Sequence, residues 1–342
     1  MIVAALRILV DGGSLSMDQA AGAMADIMED RATPAQFGAF VTALRMKGET
    51  ADEVAGMAMV MRAKARRVPT DLPVVDTCGT GGDGSGSFNV STTAAFVVAG
   101  AGVPVAKHGN RAMTSKSGSA DVLEALGVAV SLEPDAVARC LDEAGIGFMF
   151  APSFHPAMRF AGPLRREVAI RTVFNILGPL TNPAGALRQV IGVPTASVLP
   201  VMAGALARLG TVRGLVVHGD GGLDEISLSG PTDVFDVAGL AISTYAVRPE
   251  DAGIERHSGD AIKGGAAGEN ARMVREVLAG RLDSPGALER RNITCLNAGA
   301  ALIAAGKALT LAEGTSMARE SIDSGAALAR LESLVRVSQA VA

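Results

Sequence analysis

Gly79, Gly81, Gly82, Gly84 and Gly86 fall within eight residues, and Asn89, Ser91 and Thr92 follow almost at once. Glycines let backbone N–H groups come close to an anion, and the polar residues behind them can cap a helix and leave further donors free. A second polar stretch supplies Lys107, His108, Asn110, Arg111, Thr114, Ser115, Lys116, Ser117 and Ser119. Its cations are interleaved with small hydrogen-bonding residues in a chain whose net charge is −4. A solvated charged loop is the ordinary explanation of such a cluster, but the small polar neighbours suit phosphate oxygens. One cation about 4 Å from a phosphate contributes roughly 4 kcal/mol at moderate dielectric. Further along, Asp224-Glu225 is an acidic pair in a glycine-rich loop. Most adjacent acids bind nothing, yet Mg²⁺ is commonly held by one or two carboxylates together with substrate phosphate oxygens and waters.

These residues need a scaffold that brings them to one rim. The pattern predicts buried strands at 72–76 and 103–106, each ending in one of the two polar loops, with a small-residue helix over 92–100 between them. In an open α/β sheet, ligands bind outside the carboxyl ends of the strands. The acidic loop follows a predicted strand at 215–218 and so belongs on the same rim. Gly79-Thr80-Gly81-Gly82-Asp83-Gly84 spells G-x-G-x-x-G, but Lys107-His108-Gly109 stands where a dinucleotide site needs an acid, and the helix starts late. No P-loop pattern occurs. No Ser-His-Asp or Cys-His arrangement supplies a nucleophile, and His108, set among cations, resists protonation and suits a positioning role. The residues describe a magnesium-assisted site for a sugar carrying several phosphates.

Residues 1–67 read as all-helical, with capping boxes at Ser16…Gln19, Thr33…Gln36 and Thr50…Glu53. Beyond the second loop the pattern predicts helices at 119–126 and 134–143 and strands at 128–131 and 148–151. A helical stretch follows from Pro156 towards Leu177, interrupted by Pro163. A strand at 190–193 and a helix at 199–209 come next, then a hairpin pairing 226–228 with 233–237 and a further strand at 242–247. Helices at 268–278 and 286–305 and a last one opened by Thr310…Glu313 complete the chain. The fold class is α/β: a small all-helical lobe over 1–68, joined by a helix within about 158–188, and a large lobe over 69–342 with a mixed, mainly parallel central sheet.

At 342 residues the chain has room for two domains, and 49% hydrophobic against 19% charged residues marks a large core. The acidic balance, 3% aromatic content and absence of Trp argue against nucleic-acid binding. The longest apolar run, 94–106, is too short to cross a bilayer. Three cysteines without Cys-x-x-Cys spacing suit a reducing compartment, so the expectation is a cytoplasmic protein without membrane attachment.

Residues 76–83, 89–92, 107–112 and 115–127 closely resemble the anthranilate phosphoribosyltransferases, as do Arg171-Thr172-Val173-Phe174-Asn175-Ile176-Leu177-Gly178-Pro179-Leu180, residues 222–225, Gly264-Gly265, Glu269-Asn270-Ala271 and Ala32–Gln36. The resemblance covers nearly the whole chain and implies a nucleoside phosphorylase/phosphoribosyltransferase-like fold. It implies transfer of the 5-phosphoribosyl group from phosphoribosyl pyrophosphate to the anthranilate amine, with pyrophosphate leaving, in tryptophan biosynthesis. It implies that Gly79, Gly82, Asp83, Ser87, Asn89, Val90, Ser91, Thr92, Lys107, His108, Gly109, Asn110, Arg111, Ala112, Met113, Thr114, Ser115 and Ser119 bind phosphoribosyl pyrophosphate. Lys107 and His108 are implied to act electrostatically. Anthranilate is implied to meet Gly79, His108, Asn110, Arg165 and Pro179, with Arg165 as the carboxylate partner. Ser91, Asp224 and Glu225 are implied to hold Mg²⁺, two ions per monomer, and the helical lobe to join a homodimer. Ser87 and Thr114 depart from the family's usual Thr and Ser, each keeping a hydroxyl. A pyrimidine nucleoside phosphorylase, which shares the two-lobe plan, and a non-catalytic nucleic-acid-binding relative are the rival readings.

Overall fold

A computed structural model describes residues 1–112 and 116–342. Met113, Thr114 and Ser115, expected among the phosphate-binding residues, lie outside the described residues. Four helices open the chain: α1 (Ile2–Val10), α2 (Met17–Met28), α3 (Pro34–Lys47) and α4 (Ala51–Lys64). All three expected capping boxes form, with the Ser16, Thr33 and Thr50 side chains accepting from the backbone N–H groups of Gln19, Gln36 and Glu53. Each such cap contributes about 1 kcal/mol. Helices α2 and α4 pack backbone to backbone: a Cβ on Gly56 would overlap the Met17 carbonyl.

The rest of the chain alternates. In order come β1 (Val75–Gly79), α5 (Val90–Gly100), β2 (Val105–Gly109), α6 (Ser119–Ala125), α7 (Pro134–Ala144), β3 (Ile146–Phe150), α8 (Ala151–Phe154), α9 (Met158–Val168) and α10 (Phe174–Leu177). Then follow β4 (Arg188–Gly192), α11 (Leu199–Arg208), β5 (Arg213–Gly219), β6 (Thr232–Ala238), β7 (Ala241–Val247), α12 (Ala267–Leu278), α13 (Ala287–Ala304), α14 (Leu311–Asp323) and α15 (Ala326–Val341). The strands form one seven-stranded sheet in the order β3-β2-β1-β4-β5-β6-β7. Strands β1 to β5 are parallel and β6 and β7 antiparallel, which is the mixed, mainly parallel sheet expected. From β1 the chain winds outward to β2 and β3 and then returns to add β4 on the other side of β1. The order therefore reverses between β1 and β4, where an open α/β sheet places its crevice.

Two apolar clusters hold these layers. One surrounds α5, whose residues are buried on every face by β1, β2, α13, α14 and α15. The other runs from α1–α4 through α9, α10 and α11 to Ile191, Val216 and Val237 of the sheet. Helix α9 packs on α2 and α3, and α11 packs on both α4 and β6. The helical N-terminus and the sheet thus share a continuous apolar contact.

Several element boundaries differ from the sequence pattern. The first two strands start later and run further than expected, so Gly79, Lys107, His108 and Gly109 are themselves strand residues. The parallel ladder decides this: Gly79 pairs with Gly192, and Lys107 to Gly109 pair with Phe148 to Phe150. Residues 128–131, expected as a strand, carry none; Val128 and Val130 are buried without a ladder. The expected hairpin between 226–228 and 233–237 does not form. Strand β6 turns instead through Gly239 (φ 60°) and pairs with β7. Pro163 lies inside α9, and the helical stretch breaks at Ala169 instead. The final helix is two, parted at Gly325 (φ 79°).

Candidate active site

The rim above β1, β2 and β4 gathers the glycine loop, the second loop and the acidic pair. Gly79 and Gly192 end β1 and β4 side by side. A Cβ on Gly79 would overlap the Asp224 carboxylate, and one on Gly192 the Asp224 carbonyl. Glycine at both strand ends is what lets the acidic loop lie across the crevice. Asp224 then accepts from the Gly81 N–H at 2.9 Å, tying the acidic loop to the glycine loop. Its neighbour Glu225 turns the other way and accepts from the Ser91 N–H at 3.1 Å, at the first turn of α5.

Ser91 had been expected to cap α5 with its side chain, together with Asn89 and Thr92. The helix instead starts at Val90 with no side-chain cap bond, and Glu225 takes the free donor. A carboxylate there also faces the positive end of the helix dipole. Asn89 is used differently. Its amide donates to the Ser117 carbonyl (3.2 Å) and accepts from Asn270 (2.8 Å), so it ties the glycine loop to the second loop and to α12. Ser87 sits in a bridge with Lys263, and Phe88 donates to the Ile262 carbonyl.

Lys107 is not a loop cation. It is buried at 3% exposure, its ammonium donating to the Thr77 carbonyl (2.5 Å) and the Ser91 hydroxyl (3.4 Å). Burial lowers its pKa, against the opposing pull of Asp76 and Glu225. It therefore places positive charge under the floor of the crevice. His108, 8% exposed, is held neutral: burial first, then the neighbouring His155, drives its pKa down to about 3. The two rings lie 5.1 Å apart.

Arg111 was expected at the phosphates. Here its guanidinium pairs with Glu124 (2.5 and 2.6 Å) and Asp121 (3.1 Å) on α6, above the Phe150 ring. Asp121 also accepts from the N–H groups of Ala112 (2.9 Å) and Gly118 (2.8 Å), pinning both ends of the second loop. A Cβ on Gly109 would overlap the Ser119 hydroxyl, which donates to the Asn110 carbonyl at 3.2 Å. Arg165, on α9, is half-buried over the Phe174 ring at 5.3 Å, and burial lowers its pKa. Among the described residues it has no acidic partner, so a carboxylate ligand would find an uncompensated cation there. Pro179 is buried, its carbonyl taken by Gln189 at 2.9 Å.

Three features escaped the sequence reading. Gly192 gave no signal outside a strand. Thr80 lay between glycines, its hydroxyl unremarked. Arg171 entered only as part of a family motif with no role of its own, yet it reaches the carbonyls of Gly81 (3.0 Å) and Gly82 (3.4 Å). Of nine buried side-chain atoms without hydrogen-bond partners among the described residues, five belong to this region: Thr80 Oγ1, Asp83 Oδ2, Thr92 Oγ1, His108 Nε2 and His155 Nε2. Native interiors rarely leave polar atoms unpaired, so such a concentration marks where a polar ligand belongs.

The acids ask for a cation. Burial, then the facing Asp83, pushes Asp224 up to about 7, and burial, then Asp224, pushes Glu225 well above the usual carboxylate range. Asp83 Oδ2 has no donor. A divalent cation would relieve all of this, so the residues present fit one. Among the described residues no three His, Cys, Asp or Glu side chains form a ready-made cage, which leaves room for substrate oxygens in the coordination shell.

Comparison with known proteins identifies the family. A family model for the α/β domain of a glycosyl transferase family matches residues 71–328, and its helical-bundle companion matches residues 3–65. The chain is 59% identical over 336 residues to the anthranilate phosphoribosyltransferase of Chloroflexus aurantiacus, covering 98% of each. The crystal structure of the anthranilate phosphoribosyltransferase of Thermus thermophilus superposes with a TM-score of 0.91 at 45% identity, covering 98% of this chain and 99% of that one. The Saccharomyces cerevisiae enzyme, solved with phosphoribosyl pyrophosphate and Mg, superposes with a TM-score of 0.89 at 30% identity, covering 99% of this chain and 98% of that one.

Proposed function

This chain belongs to the anthranilate phosphoribosyltransferase family, and from that premise we propose how its own residues carry out the transfer of the phosphoribosyl group to anthranilate. The observation that carries the reading is the set of unpaired buried polar atoms around the β1–β4 crevice, bounded by a glycine loop and an acidic pair. Phosphoribosyl pyrophosphate lies over Gly79, Gly82, Asp83, Ser87, Asn89, Val90, Ser91 and Thr92, with Lys107 to Ala112 and Ser119 beneath it. Free backbone N–H groups of the loop and the Thr80 and Thr92 hydroxyls donate to its oxygens. Arg111 joins them by exchanging one of its acid partners for a phosphate.

Asp224 and Glu225, with the Ser91 hydroxyl, would hold Mg²⁺, two ions per monomer in this reading. Bound there, magnesium neutralises charge on the leaving pyrophosphate. Lys107 adds a fixed positive charge from below, worth more in a site that excludes water than in bulk. Arg165 binds the anthranilate carboxylate in a planar fork and so places the aniline nitrogen at the ribose C1. Gly79, Asn110, Pro179 and neutral His108 line that path. A neutral imidazole neither repels the cationic character that builds on the ribose nor protonates the attacking amine.

The same reading takes residues 1–68, joined by a helix within about 158–188, as a lobe that closes on the α/β lobe formed by the rest of residues 69–342. It takes the enzyme as a cytoplasmic homodimer joined through the helical lobe. The test is a fluorescence assay of anthranilate consumption against phosphoribosyl pyrophosphate, with and without magnesium. Turnover that needs both supports the reading. Phosphorolysis of thymidine or uridine without magnesium sinks it.

A further inference from the structure

We propose that Arg171 is a positioning residue that couples the two substrate subsites. It grips the glycine loop from the connector that directly follows the helix carrying the anthranilate anchor. The proposal rests on the glycine loop being the seat of phosphoribosyl pyrophosphate.

The Arg171 guanidinium donates to the Gly81 carbonyl at 3.0 Å and the Gly82 carbonyl at 3.4 Å. It lies close against Gly82, where a Cβ would overlap Nη1. Asp224 in turn accepts from the Gly81 N–H at 2.9 Å. Three successive peptides of the loop, from Thr80 to Asp83, are thus held by an acid from the β5–β6 connection and a cation from the α9–α10 connection. Together the contacts orient the peptides on either side of Gly81 and Gly82, and with them the donors left for a phosphate. Among the described residues Arg171 has no acidic partner and is exposed, so its part in packing is small.

The α9–α10 connector is short and held at both ends. Ala169 closes α9 in a left-handed conformation (φ 55°), donating to the Arg165 carbonyl at 3.1 Å. Thr172 donates to the Asn175 side chain at 2.9 Å, and Val173 and Phe174 are buried. The Arg165 guanidinium lies over the Phe174 ring at 5.3 Å. A carboxylate that draws on Arg165 acts on Phe174, and so on the segment that sets Arg171. Ordering at one subsite lowers the cost of ordering at the other, and linkage makes the effect reciprocal.

Titration calorimetry tests this with benzoate, which has the anthranilate carboxylate but no amine to react. Phosphoribosyl pyrophosphate with magnesium is titrated with and without saturating benzoate into the wild type, Arg171→Ala and Arg171→Lys. In the wild type benzoate tightens phosphoribosyl pyrophosphate about fivefold, within the usual range of coupling between sites. Arg171→Ala abolishes that gain and weakens phosphoribosyl pyrophosphate roughly tenfold, as loss of charge-assisted bonds does. Arg171→Lys, with a point charge in place of a fork, falls between. Hydrogen exchange rises over residues 79–86 in Arg171→Ala and stays unchanged elsewhere. Wild-type coupling retained in Arg171→Ala, or exchange raised across the whole chain, overturns the proposal. Ligand protection of 79–86 in a wild type that shows no coupling removes the coupling alone. Absence of that protection removes the phosphate reading and the coupling with it.

Discussion

The Ser91 N–H donates to the Glu225 carboxylate at 3.1 Å, although 134 residues separate the two along the chain. One acid thereby caps the helix that leaves the glycine loop and, in our reading, holds a metal ion at the head of that helix. Glu225→Gln keeps an acceptor for Ser91 but removes a charge that burial makes costly. We expect the melting temperature to hold or rise, while kcat falls roughly 100-fold, the scale of losing one charge-stabilising group. Thermal melts beside rate-against-magnesium curves check both halves. A large fall in stability would reassign Glu225 to the fold.

Gly192→Ala and Gly84→Ala separate close approach from backbone strain. At Gly192 a Cβ runs into the Asp224 carbonyl, whereas at Gly84 (φ 71°) it meets open space. Gly192→Ala should cost about 3 kcal/mol or more and displace the acidic loop. Gly84→Ala should cost about 1 kcal/mol from its left-handed φ alone. Urea melts of the two variants give the comparison, and equal losses would mean that the loop moves freely off β4.

Lys107 holds the Thr77 carbonyl and the Ser91 hydroxyl from beneath the crevice. Lys107→Met keeps most of the buried volume and removes the charge. The KM for phosphoribosyl pyrophosphate should rise roughly 100-fold, since contacts to a charged group are worth about 1.5–3 kcal/mol each. The KM for anthranilate should stay near that of the wild type. Steady-state kinetics with each substrate varied in turn decides it.

Arg165 is half-buried with no acid beside it among the described residues, which leaves its charge for a ligand. Arg165→Ala should raise the KM for anthranilate roughly 30-fold with little change for phosphoribosyl pyrophosphate. Arg165→Lys should recover only part of this, because an ammonium lacks the planar fork. An effect confined to phosphoribosyl pyrophosphate would move Arg165 to the other subsite.

Asp26 gives the helical N-terminus an acid-sensitive contact. Burial raises its pKa, but the Met1 ammonium, the Ile2 N–H and Arg31 outweigh burial and hold it at about 2, against an ordinary 3.8. A depressed folded-state value stabilises above the unfolded pKa and is lost as pH falls through the folded one. The contribution is about 1–2 kcal/mol after allowing for the exposed partners, and it disappears between about pH 4 and pH 2. Asp26→Asn should lower stability by that amount at pH 7 and match the wild type near pH 2. Chemical melts across that range test it.

Much of the site was legible because its chemistry is local. The five glycines, the Asn89–Thr92 run, the cation-bearing second loop and Asp224-Glu225 all announce themselves in short stretches, and the three capping boxes did so for α2, α3 and α4. The helical preface and the mainly parallel sheet followed from periodicity in the same way. Reading failed where a neighbour distant in sequence decides. The ladder from β3 and β4 drew Lys107, His108 and Gly79 into strands, and β7 took the partner role expected of 226–228.

The sequence by itself determined which residues are candidates for phosphate and metal, because side-chain chemistry and glycine's freedom belong to the residue. Only the tertiary structure decided how each is used. It put Lys107 under the crevice floor, spent Arg111 on α6, gave Glu225 to the head of α5 and laid Arg171 against Gly82. These are contacts between segments far apart in the chain. Their geometry follows from strand order and helix packing, which no local pattern encodes.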